Sequence, residues 1–169
     1  ELGRKDDGTL YYTMQVVRGQ TLEEELQKAE SLDDRLKLLG HFTDLCQAIA
    51  YAHSRGVVHR DIKPANVMVG EFGETVVLDW GLAKVRGKED IRGTEIAREI
   101  KELMDADLGR TTVGDVIGTP KYMSPEQAKG LIEQIDERSD VWALGALLYQ
   151  ILTGRAPFEG GNALEVRGR

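Results

Sequence analysis

The apolar positions change period along this chain. From Leu10 to Val17, aromatic and β-branched residues crowd together behind an Asp7-Gly8 turn signal, which predicts a hairpin over residues 1–17. Helical spacing then takes over. Thr21 and Glu24 have capping-box spacing and open a short helix, and Ser31 with Asp34 repeats the signal. The second box precedes Leu32, Leu36, Leu39, Phe42, Leu45, Ile49 and Ala52 at three- or four-residue intervals. That spacing predicts one long amphipathic helix, stopped by Gly56. His41 and His53 lie within this pattern and read as surface or packing residues with no ligand role.

Short extended pieces follow at Val57-Val58, Val67 to Val69 and Thr75 to Leu78, broken by Pro64 and a Gly70/Gly73 turn. Residues 84–117 are polar and irregular, apart from a possible helix capped by Thr94 and carrying Ile96, Ile100, Leu103 and Met104. Ser124-Pro125-Glu126 is a compact helix start with Pro in the first helical position. Val141, Leu144, Leu147, Leu148, Ile151 and Leu152 predict a helix over 139–153 that Gly154 ends. A small β piece followed by helices around short strands makes an α+β pattern, mostly helical.

Composition narrows the classes. With 169 residues, 41% of them apolar and 30% charged, the chain fits one soluble domain with a real core. A net charge of −7 argues against broad nucleic-acid binding, which needs a basic surface. No apolar run approaches the roughly 20 residues a membrane-spanning helix requires, so no membrane segment is expected within this chain. Cys46 is the only cysteine, fits a small core position and excludes an internal disulfide. A lone thiol fits a reducing compartment. The acidic positions Glu23 to Glu25, Asp33-Asp34 and Asp136-Glu137 read as solvated helix faces. The chain opens on Glu1 rather than Met and is expected to be part of a longer protein.

The chemistry concentrates in His59-Arg60-Asp61-Ile62-Lys63-Pro64-Ala65-Asn66, in a loop between a helix and a short strand. Asp61 can accept a proton from, or orient, a hydroxyl. Asn66 offers a hard oxygen ligand for Mg²⁺, and Lys63 places positive charge where phosphoryl oxygens would gather. Taken singly, each residue also fits a polar loop with a buried Asp–Arg pair; the full string argues against that.

This string resembles the catalytic loop of protein kinases, and its Lys-Pro pair resembles the Ser/Thr rather than the Tyr branch. The resemblance implies Asp61 as catalytic base, Asn66 as metal ligand and Lys63 as a γ-phosphate contact. It implies that Arg60 pairs with a phosphorylated activation loop, and that His59 is a structural residue under the metal loop. Asp79-Trp80-Gly81, after the apolar run Val76-Val77-Leu78, resembles the metal-binding Asp-Phe-Gly motif, so Asp79 would link Mg²⁺ to the phosphates. Trp80 stands where Phe is usual and is expected to take its packing role beside Gly81.

Gly118-Thr119-Pro120-Lys121-Tyr122-Met123-Ser124-Pro125-Glu126 resembles the end of a Ser/Thr kinase activation segment. By that likeness Thr119 bonds Asp61 and Lys63. Glu126 would form a buried salt bridge with an arginine expected beyond Arg169, which would leave it unpaired in this stretch. Asp140-Val141-Trp142-Ala143-Leu144-Gly145 resembles the start of the central large-lobe helix, with Asp140 holding the His59–Asp61 turn; a helix-dipole role would serve it equally. Tyr12 to Gly19 resembles the hinge strand between lobes. Met14 would be the gatekeeper, Gln15 and Val17 backbone contacts to adenine, and Met68 part of the adenine floor.

The likeness is to eukaryotic-like bacterial Ser/Thr kinases. It divides the chain (1–169) into the end of a small lobe with the hinge (1–19) and a large lobe (20–169) with a long activation segment (79–126). Thr111 and Thr112, beside Arg110, are candidate phosphosites. The glycine-rich loop, the strand lysine and its glutamate are expected before Glu1, and the late helices after Arg169, so the piece alone is expected to be inactive. Implied are ATP and Mg²⁺ as cofactors and Ser/Thr-bearing proteins as substrates. The alternative is a pseudokinase or scaffolding module that binds nucleotide or partners without catalysis.

Overall fold

The computed structural model describes residues 2–4, 9–12, 16–85, 87 and 120–158. The Asp7-Gly8 turn and the Thr94 helix lie outside them. The first two strands, β1 (Leu2–Arg4) and β2 (Leu10–Tyr12), pair antiparallel as the hairpin pattern predicts, with Leu2 opposite Tyr12.

A three-stranded antiparallel sheet follows, with β5 (Val67–Gly70) between β3 (Gly19–Thr21) and β6 (Thr75–Val77). Gly19 is obligatory there. Its φ is +139°, and a Cβ would sit 2.1 Å from the Val69 carbonyl oxygen. The third pair joins β4 (Val57–Val58) to β7 (Lys84–Val85).

Both early capping boxes form. Thr21 and Glu24 bond reciprocally at the start of α1 (Leu22–Lys28), and Ser31 with Asp34 at the start of α2 (Leu32–Leu36). The single long helix expected from Leu32 to Ala52 does not form. The helix breaks at Lys37-Leu38, where the Leu38 amide reaches back to the Arg35 carbonyl, and resumes as α3 (Leu39–Ser54). The break changes the phase of the apolar stripe. Leu32 and Leu36 stay exposed, whereas Leu38, Leu45, Ile49 and Ala52 are buried. Gly56, at φ +73°, follows the end of α3.

After the site loops, α4 (Pro125–Ala128) is a single turn and α5 (Glu137–Thr153) the longest helix among the described residues. α5 starts two residues earlier than its apolar pattern indicates. Asp136, read above as part of a solvated face, caps it by accepting a hydrogen bond from the Arg138 amide. Val141 and Leu152, assigned to its apolar face, are exposed, and Ala143, Ala146, Leu147 and Ile151 supply the buried one.

The core joins Leu22 of α1, Leu38, Leu45 and Ile49 of the α2–α3 region, Val67 of β5 and Ala143, Leu147 and Ile151 of α5. Ile62 belongs to the same cluster. Burying such a side chain stabilises by about 1.5–3 kcal/mol, so the core itself pins the loop that carries Asp61 and Lys63. At the far end of α5, Arg35 Nε donates to the Ile151 carbonyl at 3.0 Å and its guanidinium lies against Gly154. A cation there satisfies an orphan carbonyl and complements the helix dipole. Arg35→Met should therefore lower stability by about 1–2 kcal/mol, read as a shift in the urea midpoint.

Candidate active site

The site is built on the loop from β4 to β5. His59 is fully buried, and its two ring nitrogens have opposite roles. The Asp61 amide donates to Nδ1 at 3.2 Å, so Nδ1 is the acceptor and Nε2 carries the proton, donated to the Leu78 carbonyl at 3.0 Å. Arg60 adopts φ +71°, a left-handed conformation that is strained for a side chain of its size. Asp140, at the start of α5, meets this turn from below. Its Oδ2 accepts from the His59 amide at 2.8 Å and its Oδ1 from the Arg60 amide at 2.8 Å. His53 Nε2 adds a third bond to the carboxylate, also at Oδ2, at 2.7 Å. The Asp140 side chain is 1% exposed, so these bonds replace the water a carboxylate would otherwise need.

Beyond this turn the candidate site side chains converge. Lys63 Nζ lies 2.8 Å from Asp61 Oδ2. Asn66, at the end of a 3₁₀ turn opened by Pro64, donates from Nδ2 to both the Asp61 carbonyl and Oδ2, each at 2.8 Å. The Asp61 carboxylate is thus held by a cation and an amide. With Nδ2 committed to Asp61, the Asn66 side-chain oxygen is the atom left for a cation.

Asp79 comes from a different part of the chain and arrives through the β5–β6 hairpin. Val67 opposes Val77, and the Leu78 amide donates to the Asn66 carbonyl at 2.8 Å. Asn66 and Asp79 therefore flank the same end of one two-stranded ribbon. Asp79 is exposed, has φ +58°, and accepts from the Gly81 amide at 3.4 Å. The described residues contain no cluster of three or more His, Cys, Asp or Glu suited to a metal.

A family model for the protein kinase domain matches residues 4–167. The chain belongs to the protein kinase domain family. It is 41% identical over 97% of its length to the serine/threonine-protein kinase PknD of Protochlamydia amoebophila, covering 17% of that protein. It is 40% identical over 92% of its length to a probable serine/threonine-protein kinase of Streptomyces coelicolor, covering 20% of it. The kinase pkn3 of Myxococcus xanthus is 38% identical over 97% of this chain, which spans 27% of that relative. The chain thus corresponds to well under a third of each of these curated relatives.

Within this kinase domain, Trp80 lies against His59, with ring centroids 4.6 Å apart and planes tilted by 60°. It remains 39% exposed, and its indole N–H donates to the Val77 carbonyl at 3.1 Å, a bond Phe could not make. Arg60 is buried, and its Nε donates to the Leu82 carbonyl. Glu126 is not left unpaired. Ser139 Oγ donates to its Oε1 at 2.5 Å. Burial pushes the Glu126 carboxyl up, but the hydrogen bonds from Ser139, its own amide and Ser124 outweigh that and hold it below its ordinary range.

Val17 is partly buried, and Met68 sits in β5 opposite Thr21 and Val76. Met14, Gln15, Thr111, Thr112 and Thr119 lie outside the described residues. Sequence reasoning missed His53, Ser139 and Gln127, which make long-range bonds within and behind the site. No helix among the described residues is long and apolar enough to cross a membrane.

Proposed function

We propose that this domain transfers the γ-phosphoryl group of ATP to Ser or Thr hydroxyls of proteins. One observation carries the reading. The Asp61 carboxylate is clamped by Lys63 and Asn66, while Asn66 and Asp79 flank one end of the β5–β6 ribbon. Asp61 orients the acceptor hydroxyl and receives its proton. Lys63, already paired with Asp61, faces the negative charge that spreads over the transferred phosphoryl group. Asn66 and Asp79 would hold Mg²⁺, which supplies charge neutralisation at the phosphate oxygens. Catalysis on this account is positioning and electrostatics.

Residues 1–19 would serve as the end of the small lobe and the hinge, with Met14 as gatekeeper, the backbones of Gln15 and Val17 as adenine contacts and Met68 as part of the adenine floor. Residues 20–169 form the large lobe, with 79–126 as activation segment. Thr119 selects the hydroxyl acceptor. The full-length protein, given Mg-ATP and a mixed protein substrate, should yield phosphoserine and phosphothreonine without phosphotyrosine, and excess EDTA should abolish the product. Nucleotide binding without any phosphoamino acid would reject the enzyme reading.

A further inference from the structure

Gln127 reaches the site from the far side of the activation segment. The one-turn helix α4 is capped reciprocally by Ser124 and Gln127. Gln127 Oε1 accepts from the Ser124 amide and from Ser124 Oγ, both at 3.1 Å, and the Gln127 amide returns to Ser124 Oγ at 3.4 Å. The other end of the same side chain, Nε2, donates to the Arg60 carbonyl at 2.6 Å. Backbone groups fix this orientation on both sides. The Ser124 N–H can only donate and the Arg60 carbonyl can only accept, so the amide cannot be turned over.

A capping box needs only an acceptor at this position, and Glu serves there as well as Gln. The Arg60 carbonyl needs a donor, which Glu at neutral pH lacks. The choice of Gln at 127 is therefore explained by Arg60 and not by the cap. The Arg60 carbonyl and the Asp61 amide belong to one rigid peptide plane. That plane is gripped at both edges, by Gln127 on the carbonyl and by His59 Nδ1 on the amide. Asp140 holds the preceding amide. The strained φ of Arg60 is thus clamped immediately before the residue that meets the acceptor hydroxyl.

We propose that Gln127 is a positioning residue for Asp61, coupling the end of the activation segment to the catalytic loop through the Arg60 carbonyl. The catalytic half of this inference rests on the kinase reading of Asp61. The discriminating variant is Gln127→Glu in the full-length protein, which keeps the cap and places a second acceptor against the carbonyl. Its kcat should fall about tenfold, as small misplacements at a reacting centre do. KM for ATP should stay within about twofold and the thermal midpoint near wild type. Amide exchange across His59 to Asp61 should quicken about tenfold. Ser124→Ala should do the reverse, lowering the midpoint while kcat holds.

If Gln127→Glu does not fold, Gln127→Met replaces it, and its kcat loss must exceed that of Ser124→Ala. Wild-type kcat and exchange in the Gln127 variant overturn the proposal, as does an equal kcat loss in Ser124→Ala. Should the wild type itself transfer no phosphate while exchange responds as stated, the link to the loop stands and the kinase reading fails instead.

Discussion

Asp61→Asn should lower phosphoryl transfer about a thousandfold, at the middle of the range for loss of a general base, while leaving nucleotide affinity and thermal stability close to wild type. The substitution is nearly isosteric, so the core around Ile62 is undisturbed. Its effect lies in the charge and in the lone pairs. Lys63 Nζ and Asn66 Nδ2 both donate to Asp61 Oδ2. An amide oxygen at that position keeps both bonds but leaves an N–H₂ group where the acceptor hydroxyl must give up its proton. Turning the amide over instead sets a donor against two donors. The first orientation removes the proton acceptor; the second offers only an amide oxygen, far too weak a base to take the proton, and also loosens Lys63. A thousandfold loss corresponds to about 4 kcal/mol of transition-state stabilisation. Steady-state kcat on a peptide substrate, with ADP affinity by calorimetry and the midpoint by calorimetric scan, separates this from misfolding. Transfer within tenfold of wild type would remove Asp61 from the mechanism.

The local signals in the sequence were read reliably because each rests on a short-range bond. The boxes at Thr21/Glu24 and Ser31/Asp34 and the start at Ser124-Pro125 need only neighbours three residues away. The strand pair around Asn66 and Asp79 was legible from the Gly70/Gly73 turn between two apolar runs. Where packing over long distances decides, the pattern misleads. The leucine stripe runs unbroken through Leu36 and Leu39, yet α2 turns off at Lys37-Leu38, where it packs on α5 and Arg35 reaches Ile151. Nothing in a single sequence marks that reversal of phase.

The same limit hid His53, Ser139 and Gln127. Each is one polar residue on a short or amphipathic helix, and its partner lies from 13 to 87 positions away. Asp136 was hidden differently, because a capping aspartate beside Glu137 is indistinguishable in composition from a solvated acidic face. The side chains proposed to perform chemistry could be named from motifs. The groups that hold them in place became visible only when the chain was folded.

The support under the loop gives the second large effect. Asp140→Asn should cost about 3 kcal/mol of stability, combining loss of charge-assisted bonds with a buried donor left unpaired. Three N–H groups converge on this carboxylate, from His53, His59 and Arg60. An asparagine has one acceptor oxygen. Facing that oxygen toward His53 and His59 turns its N–H₂ group against the Arg60 amide, and the opposite orientation strands two donors. For a domain of this size the midpoint should drop by roughly 10 °C. Activity should fall as well, by about a hundredfold, because the left-handed Arg60 turn loses a constraint that keeps its strain in place. The two aspartates are thereby separable. The Asp61 variant is slow and stable, whereas the Asp140 variant is slow and labile, and its amides at His59 and Arg60 exchange faster. A midpoint unchanged in Asp140→Asn would mean that the turn is held by its neighbours alone, and that the three bonds to Asp140 contribute nothing measurable to the fold.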